Sequence, residues 1–476
     1  MKNLFKITLI FSIFFFISCG DEDLEPTLAL DKDLESGIQS DSDLISVLNS
    51  AYNRMTPYTY YGRNTLIMGD VRTDNLYSTV ASGRFQESNM DHNPDGYGPW
   101  AVIYRAIAIT NIVIGADPAA LSGSQALISH TQGQAYALRA LLHYDLLRMY
   151  GQHFIDGQGG ANSLGIPYVK TYKDPAYLQP SRDTVVSNVG DIISDFQTGI
   201  SMMSTAFEGS SSYMTTQGAY ALLARAALYF GSVDSSFYAT ADAAAKWVID
   251  NGSASPATAN TFAGTYTVDN APNSLFELAY SGTDSASING MGYILRGTSY
   301  GDVRIITSDA VGSAPDLYDI FEASDVRFTI NGLIGTAQGL PSIVGKYPSV
   351  NGSDNITLIR VEEMHLIYAE TQLRAGNAAS ALAYLNNIPN LRNATPYTVA
   401  TLDNILNERR KEFYGEGLRF DDFARMGMDL PNVDCVKQLY CNLTGVPPVF
   451  GSYRWSYPIS KSERDANPNI VQNYGY

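Results

Sequence analysis

The stretch from Glu408 to Gly427, ERRKEFYGEGLRFDDFARMG, does most to limit what this chain can fold into. Residues 407–414 contain neither Gly nor Pro and predict a helix. Gly415 and Gly417 flank Glu416, and glycines there permit a tight helix end and a reversal of the chain. Leu418 to Met426 predicts a second helix, with Phe420 and Phe423 three apart on one face. Gly427 falls where a C-cap glycine belongs, and Arg425 lies in the last turn, where a cation suits the helix dipole. The stretch is dense in charge yet carries Phe413, Phe420 and Phe423. That mixture predicts a helix corner packed into the body, with its charges paired internally. A catalytic role for Glu412 or Glu416 is the alternative, since ion pairs and active sites both concentrate charge.

The order R-x-x-E-aromatic, Gly-Glu-Gly, Arg, an acidic-hydrophobic step, then Arg and Gly resembles the C-terminal signature of the SusD/RagB family of outer-membrane nutrient-binding lipoproteins. Further stretches carry the same resemblance. They are Gly69 to Tyr77 (GDVRTDNLY), the spacing Trp100, Tyr104, Ile107, Asn111, and Gly165-Ile166-Pro167-Tyr168. The tail from Tyr457-Pro458-Ile459 through Asn467-Pro468-Asn469 to Tyr476 is also similar. After Tyr150-Gly151 the chain departs from the family's Asp-hydrophobic-Pro, reading Gln152-His153-Phe154. The resemblance is weakest over residues 251–353. It implies a mostly α fold: a tetratricopeptide-like helical superhelix with a loop-rich ligand-binding face and minor β.

The N-terminus reads as an export signal. Lys2 and Lys6 are followed by an apolar run, Ile7 to Ile17, too short to span a bilayer. Ser18 directly before Cys19 is similar to a bacterial lipobox, with Phe16 where Leu is usual. The expectation is a lipoprotein signal peptide over 1–18, an acylated Cys19, and an acidic linker over 19–40. A plain secretory cut is the alternative. Acidic residues after the cysteine (Asp21, Glu22, Asp23) look like a surface-export signal. Residues 41–476 are then a single helical domain with a loop-rich insertion at about 251–353. Cys435 and Cys441 are the remaining cysteines. In an oxidising compartment they form a disulfide or stay free; sequence leaves both open.

Within the body, Leu44, Val47, Leu48, Ala51 and Met55 form one stripe of a helix over Asp41 to Met55, capped by Asp41 or Ser42. Residues 68–93 read as a long loop. Helices are expected over 100–114, 125–150, 184–203, 215–230 and 238–249. A helix pair over 361–388 turns at Gly376-Asn377. Ala381, Leu385 and Ile388 follow at the spacing of tetratricopeptide second helices. Such pairs cannot bury their faces alone and must stack. Strand-like pieces occur at Leu275 to Tyr280 and Val303 to Thr307.

The net charge of −17 argues against nucleic acid, which demands a basic surface. No metal or cofactor motif is present. Gly297 to Gly301 formally matches G-x-S-x-G, but that motif needs a strand before and a helix after. No catalytic residue is assigned. The resemblance implies a surface lipoprotein of the outer membrane. It would bind a nutrient oligomer, glycan or peptide, and pass it to a SusC-like TonB-dependent transporter. A glycan-degrading enzyme and a pure protein scaffold are the competing classes. By position and chemistry the candidate ligand residues are Asn75, Tyr77, Arg84 and Phe85 in the first loop region, and Tyr293, Arg296 and Tyr300 in the insertion. Aromatic faces stack on sugars, and Asn and Arg hydrogen-bond to them.

Overall fold

The computed structural model describes residues 37–79, 82–85, 88, 90–175, 178–297, 301–307, 316–430 and 449–476. The array begins with α1 (Asp41–Met55), whose Leu44, Leu48, Ala51 and Met55 are buried on one side. Its cap is Ser40 and not Asp41 or Ser42: the Ser40 Oγ accepts the Asp43 N–H at 3.2 Å, while Asp41 and Asp43 fill the first turn. The expected loop over 68–93 is corrected at its start, where α2 (Asn64–Val71) and β1 (Leu76–Ser78) lie. Residues Leu66 to Val71 are buried without a break, so α2 has no polar face and left no helical period to read.

Next come α3 (Trp100–Gly115), α4 (Gln125–Tyr150), α5 (Val185–Met202), α6 (Thr216–Phe230) and α7 (Phe237–Asn251). The side chains of Ser124, Thr184 and Thr215 cap α4, α5 and α6. Each helix from α4 to α7 packs on the one before it, and α1 packs on α3. Trp100 is buried in the core, in edge contact with Tyr150 at 4.9 Å.

The insertion follows, with β2 (Ser274–Leu278), α8 (Met291–Arg296), β3 (Val303–Ile305), β4 (Ile334–Ala337), β5 (Leu340–Ile343) and β6 (Ile356–Arg360). These form three antiparallel pairs, β1 with β3, β2 with β6, and β4 with β5. Gln338 (φ 54°) and Gly339 (φ 80°) form the two-residue turn of the β4–β5 hairpin, both in the left-handed region such a turn needs. The helical array then resumes with α9 (Val361–Arg374), which packs on α7, and α10 (Ala378–Asn390). Ala381, Leu385 and Ile388 are buried, as the repeat spacing predicts. The corner is α11 (Leu402–Phe413) and α12 (Arg419–Met426); α13 (Lys461–Ala466) precedes the tail. The fold is mostly helical.

Candidate ligand-binding face

The corner sets the position of the face. Its charges are paired inside the protein, as the sequence predicts. Except for Lys411, every charged side chain from Glu408 to Arg425 lies within 4 Å of an opposite charge among the described residues. Glu412 is the hub: its Oε1 accepts from Arg360 at 2.6 Å and Arg392 at 2.7 Å, and its Oε2 from Arg392 at 3.1 Å and Arg327 at 3.2 Å. Burial alone would raise its pKa, but these three guanidiniums hold it well below the usual carboxylate range. Glu416 accepts from Lys346 at 2.7 Å and from Arg360. Burial pushes Lys346 down to about 8 against the pull of Glu416.

The corner docks α2. Arg419 makes a two-pronged contact with Asp74 at 2.8 and 2.7 Å, and the Gly417 N–H donates to Asp70 at 2.9 Å. Arg63 is the residue immediately before α2. Its Nη1 donates to the Asn289 Oδ1 at 3.0 Å, joining the turn after α1 to the segment before α8. Its guanidinium lies 4.6 Å from the Tyr58 ring centre and 5.3 Å from that of Phe85. Burial, with the Arg84 charge nearby, pushes Arg63 down to about 10. Tyr58 and Ile288 are each 43% exposed, so an apolar and aromatic surface stands beside these donors. Tyr280 donates to the Thr56 carbonyl, and Ala286 N–H to Gly352 O at 3.1 Å, fixing further loops to the same side.

The residues predicted from sequence fall in three places. Arg84 and Phe85 belong to this face. Arg84 donates to the Ile288 carbonyl at 3.3 Å and lies 3.8 Å from Asp302. Phe85 is buried in contact with Arg63, with a left-handed φ of 58° that is unusual for a bulky residue. Tyr293 and Arg296 share α8, and Arg296 donates to the carbonyls of Tyr347 and Pro348. Asn75 and Tyr77 sit in the interior. Asn75 is 1% exposed; its Nδ2 donates to Asp70 at 2.7 Å and its Oδ1 accepts from Arg410 at 2.9 Å. Tyr77 is buried in β1 opposite Arg304. Tyr300, Cys19, Cys435 and Cys441 lie outside the described residues. Sequence reading missed Tyr58, Arg63, Ile288 and Asn289. The run TPYTYY at 56–61 was the available signal, since aromatics in a helix-breaking turn have no helix face to fill.

Asn75→Ala strands Asp70 Oδ1 and Arg410 Nε inside the protein. Its expected result is a loss of about 1–3 kcal/mol of stability, read as a lower melting temperature. A residue acting only on ligand would leave that temperature unchanged.

Little at this face suggests acid–base chemistry. His143 and His153 are buried elsewhere, and burial pushes each down to about 3. The formal G-x-S-x-G match follows a helix and precedes a strand, the reverse of the order a nucleophile elbow needs. Among the described residues no cluster of His, Cys, Asp and Glu could hold a metal ion, and no helix is long and apolar enough to cross a membrane.

A stacked helical array with loops from its N-terminal third and its insertion gathered on one side defines the class of protein. Family models agree. One described as "SusD family" matches residues 344–476, and one described as "Starch-binding associating with outer membrane" matches residues 28–228. The chain is similar to the starch-binding protein SusD of Bacteroides thetaiotaomicron, 30% identical over 183 residues, which are 37% of this chain and 29% of that protein. It is 26% identical over 155 residues to SusD-like protein P2 of Formosa agariphila, covering 31% of this chain and 30% of that one. The matched stretch thus spans less than a third of either curated relative. A SusD superfamily protein of known structure from Bacteroides thetaiotaomicron superposes with a TM-score of 0.79 at 26% identity, covering 91% of this chain and 99% of that one. The N-terminal and C-terminal parts of the chain thus each match a SusD-type family model.

Proposed function

We propose that this protein is an outer-membrane surface lipoprotein, anchored through Cys19, that captures a glycan and delivers it to a SusC-like TonB-dependent transporter without cleaving it. The observation that carries this reading is the exposed Tyr58 ring beside the polar groups of Arg63, Arg84 and Asn289. An aromatic face next to oriented polar groups suits a sugar ring, which is apolar on its faces and hydroxylated at its rim. The family matches and the starch-binding name of one relative point the same way. The corner carboxylates are committed to arginines, which supports binding without hydrolysis. Arg84, Phe85, Tyr293 and Arg296 remain proposed contributors to the site, with Tyr58 added.

The test uses the full-length protein in detergent, run by affinity electrophoresis through neutral and acidic polysaccharides with reducing ends assayed in parallel. Retardation by a polysaccharide without new reducing ends is the expected result. Tyr58→Ala is expected to weaken it about tenfold, the loss of one stacked ring, with an unchanged melting temperature. Release of short products would overturn the non-enzymatic reading. Retardation by peptides alone would replace glycan with peptide as the cargo. A tagged copy expressed in its own host should bring the transporter down with it.

A further inference from the structure

The buried arginines of this molecule differ in how their charge is met. Around the corner, Arg327, Arg360, Arg392, Arg409 and Arg425 each lie within 4 Å of a carboxylate. On the loop face the pattern changes. Among the described residues, no carboxylate lies within 4 Å of Arg63, Arg296 or Arg304. Arg63 donates to the amide oxygens of Asn64 and Asn289, at 2.9 and 3.0 Å. Arg304 is 1% exposed, and its Nη atoms reach the carbonyls of Leu295 and Val303 and the Gln338 amide. The Nε atoms of both Arg296 and Arg304 are buried with no acceptor among the described residues. A buried guanidinium is ordinarily kept only when paired or fully hydrogen-bonded. Arg182 illustrates the second case: it also lacks a carboxylate, but its Nε and both Nη atoms donate to four backbone carbonyls.

These cations are joined in space. Arg63 and Arg84 both reach residues 288–289, just ahead of α8. Arg304 donates to Leu295, the neighbour of Arg296 on that helix. Among the described residues, the acids acting on Arg63, Arg296 and Arg304 are few. Asp302 serves Arg63 and Arg304 and is shared with Arg84, while its oxygens already take the N–H and O–H of Ser82. Asp354 acts on Arg296 from beyond 4 Å and accepts the Ser349 N–H at 2.9 and 3.0 Å. In a chain of net charge −17, this face holds positive charge with few carboxylates near it among the described residues.

Taking the face as a glycan site, as proposed above, the geometry points to an acidic oligosaccharide as its ligand, one carrying carboxylate or sulfate groups. Such a group supplies counter-charge, whereas a neutral sugar leaves the arginines as they are. The planar fork of a guanidinium matches both anions. Arg84 and the half-buried Arg296 are the groups an anion can reach, with Arg63 and Arg304 contributing a fixed field from behind.

The experiment compares each ligand with its own neutral form. A uronate polysaccharide and its carboxyl-reduced product, and a sulfated polysaccharide and its desulfated product, are titrated against the full-length protein in detergent, with polyglutamate as an acidic peptide. At least one charged polymer is expected to bind about tenfold or more tightly than its neutralised form, the size of one charge-assisted hydrogen bond. Raising salt should shrink that difference. The two polymer pairs separate carboxylate from sulfate. Arg296→Gln should lower affinity for the charged polymer by a similar factor, Arg296→Lys by less, with melting temperature reporting on folding. Equal binding of charged and neutral forms would overturn this inference and leave the glycan reading standing. Binding of polyglutamate alone, or of no polysaccharide, would overturn both.

Discussion

Glu412→Gln is expected to lower the stability of this protein by about 3–5 kcal/mol, the scale for breaking a buried ion pair from one side. The side chain is fully buried and receives N–H donors from Arg327, Arg360 and Arg392. Gln keeps the size, but its amide nitrogen turns a donor towards guanidiniums that are themselves donors. The three cations then face one another with one carboxylate fewer among them. The same residue gives a pH signature. Its folded pKa is depressed well below the unfolded value of about 4.3. The stability it contributes is therefore fully present above that value and is lost as pH falls through the lower folded pKa. The gap between the wild type and Glu412→Gln should be widest near neutrality and close in acid. Thermal unfolding of both proteins from pH 7 to 3 measures it. A catalytic Glu412 would instead leave the melting temperature unmoved by the substitution, and that outcome would sink the structural assignment.

The corner was legible in sequence because its signals are local. Gly415, Gly417 and Gly427 have φ of 76°, 78° and 65°, the left-handed values that glycine at those positions announces. Helices with a cap and a single apolar stripe, such as α1 and α5, were legible for the same reason. The partners of the corner's charges were not: Arg327 reaches Glu408 across 81 residues, and Arg410 reaches Asn75 across 335. Nothing in a single sequence registers such pairs. The site failed in the same way. Arg63 and Asn289 are 226 residues apart, and the face exists only where their loops meet. Asn75 and Tyr77 had suitable chemistry and lay in a suitable stretch, but Tyr77 is buried in β1 opposite β3, and Asn75 just before it is buried against Asp70 and Arg410.

Gly417→Ala should disturb stability and ligand affinity together, because the corner and the face meet at this residue. A Cβ on Gly417 would lie 2.6 Å from Leu66 Cα and 3.0 Å from Leu66 O, and one on Gly69 would lie 2.1 Å from Gly417 O. The obstacles are backbone atoms, which cannot swing aside as a side chain can. The left-handed φ adds about 1–2 kcal/mol for a residue with a Cβ, and the overpacking about 1–3 kcal/mol. The expected loss is about 2–5 kcal/mol. Relief requires α2 to move away from the corner. That movement stretches the Gly417 to Asp70 hydrogen bond and carries Arg63, at the head of α2, out of register with Asn289. Gly264→Ala is the control, since nothing lies within 4 Å of its Cβ position. Unfolding midpoints and polysaccharide affinity measured on both variants test the coupling. A Gly417→Ala protein that is destabilised yet binds ligand like the wild type would show that the corner holds the fold without setting the face.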